Sequence, residues 1–212
     1  TANRWLASVR ACLRAAVDVD LIAENPADKV KPFREGAPRS RVLSDAEFKR
    51  AVAAIDAITD PHVRLGFVLL KDTGARKSEV LRARWEHVDL EHGTWLIPSP
   101  KSGFPQVIPL LPRTVDALRS TERIGPWLLP GRKEGTHRED IRRPWVALRL
   151  AADLDGVTIQ DIRRTFGTRV ARTSGLHVAS KALRHSDIRV TATVYAALGL
   201  EDVRAGLEAT RA

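Results

Sequence analysis

The sequence contains no methionine, one cysteine and one tyrosine. A lone cysteine, Cys12, cannot close an internal disulfide, so disulfide-stapled secreted scaffolds are excluded and a reducing, cytoplasmic setting is expected. Cys12 lies in an amphipathic helical pattern and is expected to be a small packing residue. No apolar stretch approaches the roughly 20 residues of a membrane-crossing helix, so no membrane partner is expected. The chain begins at Thr1 with no charged-then-apolar leader, so no signal peptide is expected, and without any methionine it reads as a piece of a longer protein. A glycine-rich phosphate loop is absent, and the histidines at 62, 87, 92, 137, 177 and 185 lack metal-ligand spacing with cysteines or carboxylates, so no metal or other cofactor is expected.

What is there is positive charge. Lys and Arg number 35 against 26 Asp and Glu, giving +9 and a pI near 10.4, which points to a polyanionic partner. Of those 35 cations 27 are arginine, whose planar fork of donors matches phosphate geometry. A GC-rich coding sequence enriches arginine too, so only the placement of particular arginines can decide. At 212 residues the chain makes one domain, or one domain and part of a second.

Apolar residues recur at helical spacing over 3–20 (Leu6, Val9, Leu13, Ala16, Val17), and Asn25-Pro26 closes that segment. Residues 26–41 mix Pro, Lys, Arg, Gly and Ser without period, which is linker composition. Ser44 and Glu47 have capping-box spacing, with Leu43 as a staple, opening a helix over 45–58. From Pro61 a helix that is apolar nearly all round predicts a path through the centre of a core, ending at Thr73-Gly74, and a short helix with Arg76, Glu79 and Leu81 follows. Between 85 and 110 the period changes to two, at Trp85, His87 and Asp89, then 95–97, then 106–108, which predicts a three-stranded antiparallel sheet. Helices over 113–121, 138–152, 158–172, 175–184 and 187–198, with a tail helix from about 201, complete a mainly α fold with a small three-stranded antiparallel β-sheet.

Taken singly, the polar residues of these segments have ordinary explanations. Arg76 and Glu79, three apart, fit a surface ion pair; Lys101 fits an exposed turn; Arg163 fits a solvated helix face; His185 and Tyr195 fit structural packing. In order they make a set: T-G-A-R-K-S-E at 73–79, Lys101 between two strands, Q-D-I-R-R-T-F at 160–166, L-R-H-S at 183–186, and Tyr195 ten residues after His185.

That ordered set resembles the tyrosine recombinase and phage integrase family, over a stretch from about residue 43 to the C-terminus. The resemblance implies that family's catalytic domain for 43–212, with 1–25 as the last helix of a truncated core-binding domain and 26–42 as the interdomain linker. It implies a site-specific recombinase, an integrase of a mobile element, that cleaves and rejoins double-stranded DNA through a 3′-phosphotyrosyl intermediate, without ATP or metal. The implied assembly is a tetramer on two DNA sites, with DNA-bending or directionality factors as possible further partners.

The chemistry explains the residue types. A phenol with an ordinary pKa of about 10 attacks a phosphodiester, so its forming charge and the transition state both need stabilising. By resemblance, Tyr195 is the nucleophile, Arg76 and Arg163 grip the nonbridging oxygens, Lys101 protonates the leaving 5′-oxygen, His185 bonds the phosphate, and Glu79 holds neighbouring basic side chains. Arg142, Arg143, Arg164 and Arg184 are expected DNA contacts. Two positions depart from the family pattern. Gln160 stands where the family usually has His, and an amide cannot accept a proton near neutral pH; Arg184 stands where Gly is common. Gln160 keeps open a DNA-binding accessory protein of the same fold with weakened chemistry, and a type IB-like topoisomerase is a further alternative.

Overall fold

A computed structural model of the chain describes residues 2–34, 36, 40–98 and 104–184. The chain divides into two compact units, residues 1–39 and 40–212. No helix among the described residues is long and apolar enough to cross a membrane.

In the first unit, helix α1 (Ala2–Asp18) is followed by a 3-10 turn, Pro26–Lys29. Asn25 joins the two: its side-chain oxygen accepts from the Ala27 N–H at 3.0 Å and its amide donates to the Arg10 carbonyl at 3.1 Å. Arg10 Nε answers by donating to the Ala27 carbonyl at 3.0 Å. Polar bonds hold this unit, and α1 buries no residue. Cys12 is exposed, so its expected packing role is corrected. The cause is size, because among the described residues of this unit little beyond a four-residue turn and the backbone at Phe33 meets the helix.

The second unit runs α2 (Asp45–Asp56), α3 (Pro61–Thr73), α4 (Lys77–Leu81), a 3-10 turn at Trp85–His87, β1 (Val88–Asp89), β2 (Thr94–Ile97), β3 (Gln106–Pro109), α5 (Pro112–Arg119), α6 (Arg142–Ala151) and α7 (Ile159–Leu183). It is the mainly helical fold with one small antiparallel sheet that the sequence implies. The capping box at α2 forms, Ser44 N donating to Glu47 Oε2 at 2.8 Å and Glu47 N to Ser44 Oγ at 3.3 Å. Each satisfies an N–H that the first helical turn would otherwise leave without a partner.

Helix α3 is the axis of the core. Asp60 caps its start by accepting from the N–H groups of His62 and Val63 at 3.0 and 3.1 Å. Val63, Leu65, Phe67, Leu69 and Leu70 are buried, and the helix packs against α2, α4, α5 and α7. It stops where Gly74 takes the left-handed conformation at φ 58°, the usual helix ending. The sheet has the order β1-β2-β3, with Trp95 opposite Ile108 and Ile97 opposite Gln106. Trp95, Ile97 and Ile108 face the core while Val107 is exposed, the period-two alternation of a half-buried strand.

Two expectations shift. Trp85–His87 is a 3-10 turn and only Val88–Asp89 pairs as strand, because the Trp85 N–H bonds the Pro126 carbonyl at 3.0 Å and the His87 N–H turns back to Arg84 at 3.1 Å. The helix expected from 138 starts at Arg142, since the preceding stretch bridges Pro130 to His137. The helices expected over 158–172 and 175–184 are both present within α7, separated by a kink at Gly175 (φ 82°, ψ 165°), a backbone suited to glycine. The helices expected over 187–198 and from 201 lie outside the described residues.

Candidate active site

The site grows from two helix boundaries. At the first, Thr73 ends α3 with its hydroxyl bonded to the Leu69 carbonyl at 2.6 Å and accepting from Ala75 N–H at 3.2 Å, and Gly74 turns the chain. Arg76 then sits at the cap position of α4 in extended backbone. Its N–H donates to Glu79 Oε2 at 2.8 Å and its Nη1 to Glu79 Oε1 at 2.8 Å. Glu79 thus closes the α4 start and fixes the arginine that begins it. The Arg76 side chain keeps 25% of its surface, while that of Glu79 keeps 6%.

At the second boundary, Thr158 opens α7 with its N–H and hydroxyl both donating to Asp161 Oδ2, at 2.8 and 2.7 Å. Asp161 is fully buried and also pairs with Arg164. One turn along, Arg163 is buried. Its Nη1 donates to the Gly74 carbonyl and its Nη2 to the Leu183 carbonyl at 2.5 Å. The backbone of two other blocks therefore orients this guanidinium. Thr165 fastens the same turn to the start of the unit, accepting the Leu43 N–H at 3.0 Å.

Arg184 follows the last residue of α7 with φ 57° and ψ 46°. Its Nη2 donates to Glu79 Oε2 at 3.0 Å and its Nη1 to the Ala182 carbonyl at 3.0 Å. Arg76, Glu79, Arg163 and Arg184, from three separated blocks, are thus brought together. Burial works to raise the Glu79 pKa, but the Arg76 N–H and guanidinium, with the charge of Arg184, hold it below the ordinary carboxylate value, so Glu79 is an anion. Burial lowers the pKa of Arg184, Arg76 adds repulsion, and Glu79 opposes both.

Gln160 is exposed at the second position of α7, one turn before Arg163. Arg164 is engaged with Asp161. Arg142 and Arg143 are exposed at the start of α6, and the Lys77 to Asp140 ion pair at 3.0 Å ties the lead-in of that helix to α4. Lys101, His185 and Tyr195 lie outside the described residues.

Two acidic partners were missed by sequence reasoning. Asp161 had a readable signal, since Thr158 and Asp161 have capping-box spacing. Asp72, buried near the end of α3, accepts from Lys71 Nζ at 2.5 Å, Arg113 Nη2 at 2.6 Å and Thr114 Oγ1 at 2.9 Å. Its signal was a charge inside an apolar helix, which requires a paired cation.

Comparisons with known proteins bear on the family and the fold. The sequence model described as Phage integrase family matches residues 41–201. IntQ of Escherichia coli (strain K12), described as a defective protein, is 27% identical over 207 residues, covering 88% of this chain and 51% of its own length. The shufflon-specific DNA recombinase of Escherichia coli is 30% identical over 105 residues, covering 50% of this chain and 27% of its own. The chain therefore spans about half, or less, of the length of these curated relatives. Among solved structures, the Tn1549 transposon integrase in complex with transposon right end DNA superposes with a TM-score of 0.74 at 19% identity, covering 99% of this chain and 79% of that one. A lambda integrase dimer bound to a COC′ core site superposes with a TM-score of 0.72 at 18% identity, covering 90% and 71%.

Proposed function

Because the chain belongs to the phage integrase family, we propose that it is a site-specific DNA recombinase that cleaves and rejoins strands through a 3′-phosphotyrosyl link to Tyr195. The observation that carries this reading is the meeting of Arg76 and Arg163, one held by Glu79 and the other by the carbonyls of Gly74 and Leu183. Two guanidiniums fixed by neighbouring groups need little reorganisation when charge builds on a phosphate, which is the basis of electrostatic catalysis.

In the proposed step the Tyr195 oxygen attacks the scissile phosphorus and passes its proton to solvent water. The bond from phosphorus to the 5′-oxygen breaks, and Lys101 gives that oxygen a proton. Arg76 and Arg163 neutralise the nonbridging oxygens of the pentacoordinate transition state, and His185 donates a hydrogen bond to the same phosphate. The phosphotyrosyl link conserves the energy of the original diester, so attack by a 5′-hydroxyl reseals the strand without a nucleotide. Double-stranded DNA is the substrate, four copies on two sites are the working assembly, and DNA-bending or directionality factors are further partners.

The test is a nicked suicide duplex carrying the attachment site, incubated in EDTA with the full-length protein. A covalent protein-DNA adduct is expected, and Tyr195→Phe should abolish it. No adduct from the parent, or an unchanged yield from Tyr195→Phe, overturns the reading. A second reading, a DNA-binding protein of this fold with weakened chemistry, is favoured by Gln160 alone. It predicts specific binding without adduct, with adduct gained by Gln160→His.

A further inference from the structure

Arg184 holds a cation where the fold leaves it little room. Its side chain keeps 4% of its surface, its Nε is buried with no hydrogen-bond partner among the described residues, and its backbone is left-handed at φ 57°, which glycine adopts more easily. A guanidinium in such surroundings needs a counter-charge. Glu79 is that group, and it is not exclusive: Oε1 accepts from Arg76 Nη1 at 2.8 Å, and Oε2 accepts from Arg184 Nη2 at 3.0 Å and from the Arg76 N–H at 2.8 Å.

The charge balance follows from this sharing. Glu79 paired with Arg76 alone would form a neutral pair with little attraction left for an anion. Shared between two guanidiniums, the three groups carry one surplus positive charge. Of the three side chains only Arg76 keeps a sizeable open surface, 25% against 6% for Glu79. We infer that Arg184 is a positioning residue that divides Glu79 between two cations and so leaves Arg76 with net positive charge towards an incoming phosphate. The inference rests on the reading of Arg76 as a phosphate-gripping group. A side chain as closed as that of Arg184 acts through Glu79, not by touching DNA itself.

Inorganic phosphate is the probe, titrated against the full-length protein at constant ionic strength and followed by the rise in Tm. Arg184→Gly should weaken phosphate binding by about tenfold, the effect of losing one modest charge interaction. Its Tm without phosphate should not fall below that of the parent, because glycine suits the left-handed backbone. Arg184→Lys keeps the charge and should bind phosphate within about twofold of the parent. The inference is overturned if Arg184→Gly binds phosphate like the parent, or if the parent shows no phosphate-dependent rise in Tm. It is also overturned if Lys loses as much affinity as Gly, and a fall in Tm for both variants assigns Arg184 to folding instead. This measurement needs no strand cleavage, so failure of the recombinase reading in the adduct assay is seen separately.

Discussion

The carbonyl oxygen of Gly74 accepts a hydrogen bond from Arg163 Nη1, 89 positions further along the chain. That bond joins the turn presenting Arg76 to the helix presenting the second arginine. It depends on Gly74 being glycine twice over: φ is 58°, and a Cβ there would run into the Phe166 ring, with Cε1 only 2.9 Å away.

Gly74→Ala is therefore expected to destabilise the protein by about 2–4 kcal/mol, combining left-handed backbone strain with overpacking. Denaturant unfolding measures this. Strand cleavage should fall further than stability explains, by about 100-fold at temperatures where the variant is folded, because Arg163 loses its alignment. A loss within about 0.5 kcal/mol, the range of an ordinary surface change, would dissociate the turn from the stability of the site.

Much of this was legible because it is local. The capping box at Ser44 and Glu47, the apolar run of α3 and the alternation at Trp95 and Ile97 are written within a few residues of one another. Arg76 and Arg163 were grouped by the order of their blocks. The charge partners were harder to read, since Arg113 meets Asp72 across 41 positions and Arg184 meets Glu79 across 105. No periodicity encodes such pairs. Trp85 and His87 misled for the opposite reason: their alternation with Asp89 fits a strand, but a tertiary bond from Trp85 to Pro126 bends 85–87 into a turn.

The Asp72 cluster gives stability a pH signature. Burial pushes the Asp72 pKa up, but Arg113, Lys71 and Thr114 together bring it below the ordinary value. The unfolded carboxylate thus binds protons more readily than the folded one. Its contribution is complete above the ordinary value near 3.9 and is lost as pH falls through the lowered folded value. Asp72→Asn leaves Lys71 unpaired at 8% exposure and should cost about 3 kcal/mol at neutral pH. The variant should also lose stability less steeply than the parent below about pH 4. Parallel acid profiles in thermal unfolding would remove Asp72 as their source.

Gln160 sets the prediction for catalysis. An exposed amide one turn before Arg163 can donate and accept hydrogen bonds but cannot take a proton. Gln160→His supplies a base with an ordinary pKa of about 6.5. Single-turnover cleavage should rise about tenfold or more at pH 7.5, the lower part of what a positioned base contributes. The variant's rate should climb more steeply through pH 6–7 than the parent's, as the added imidazole loses its proton. Equal rates across that window would mean that position 160 is not part of proton transfer.

Arg142 and Arg143 supply the last test, through salt. Both are exposed at the start of α6, and Lys77 pairs with Asp140 just before it, which holds this pair of arginines beside the helix that Arg76 caps. Cations so placed would meet the phosphates flanking the scissile one, and each contact releases condensed counterions. The logarithm of DNA affinity should then fall linearly with the logarithm of salt concentration, and Arg142→Ala or Arg143→Ala should each flatten that slope by about 0.9. Cleavage at saturating DNA should stay near the parental rate, because these side chains contribute to affinity and not to the transition state. Slopes unchanged in both variants would place the DNA path away from α6.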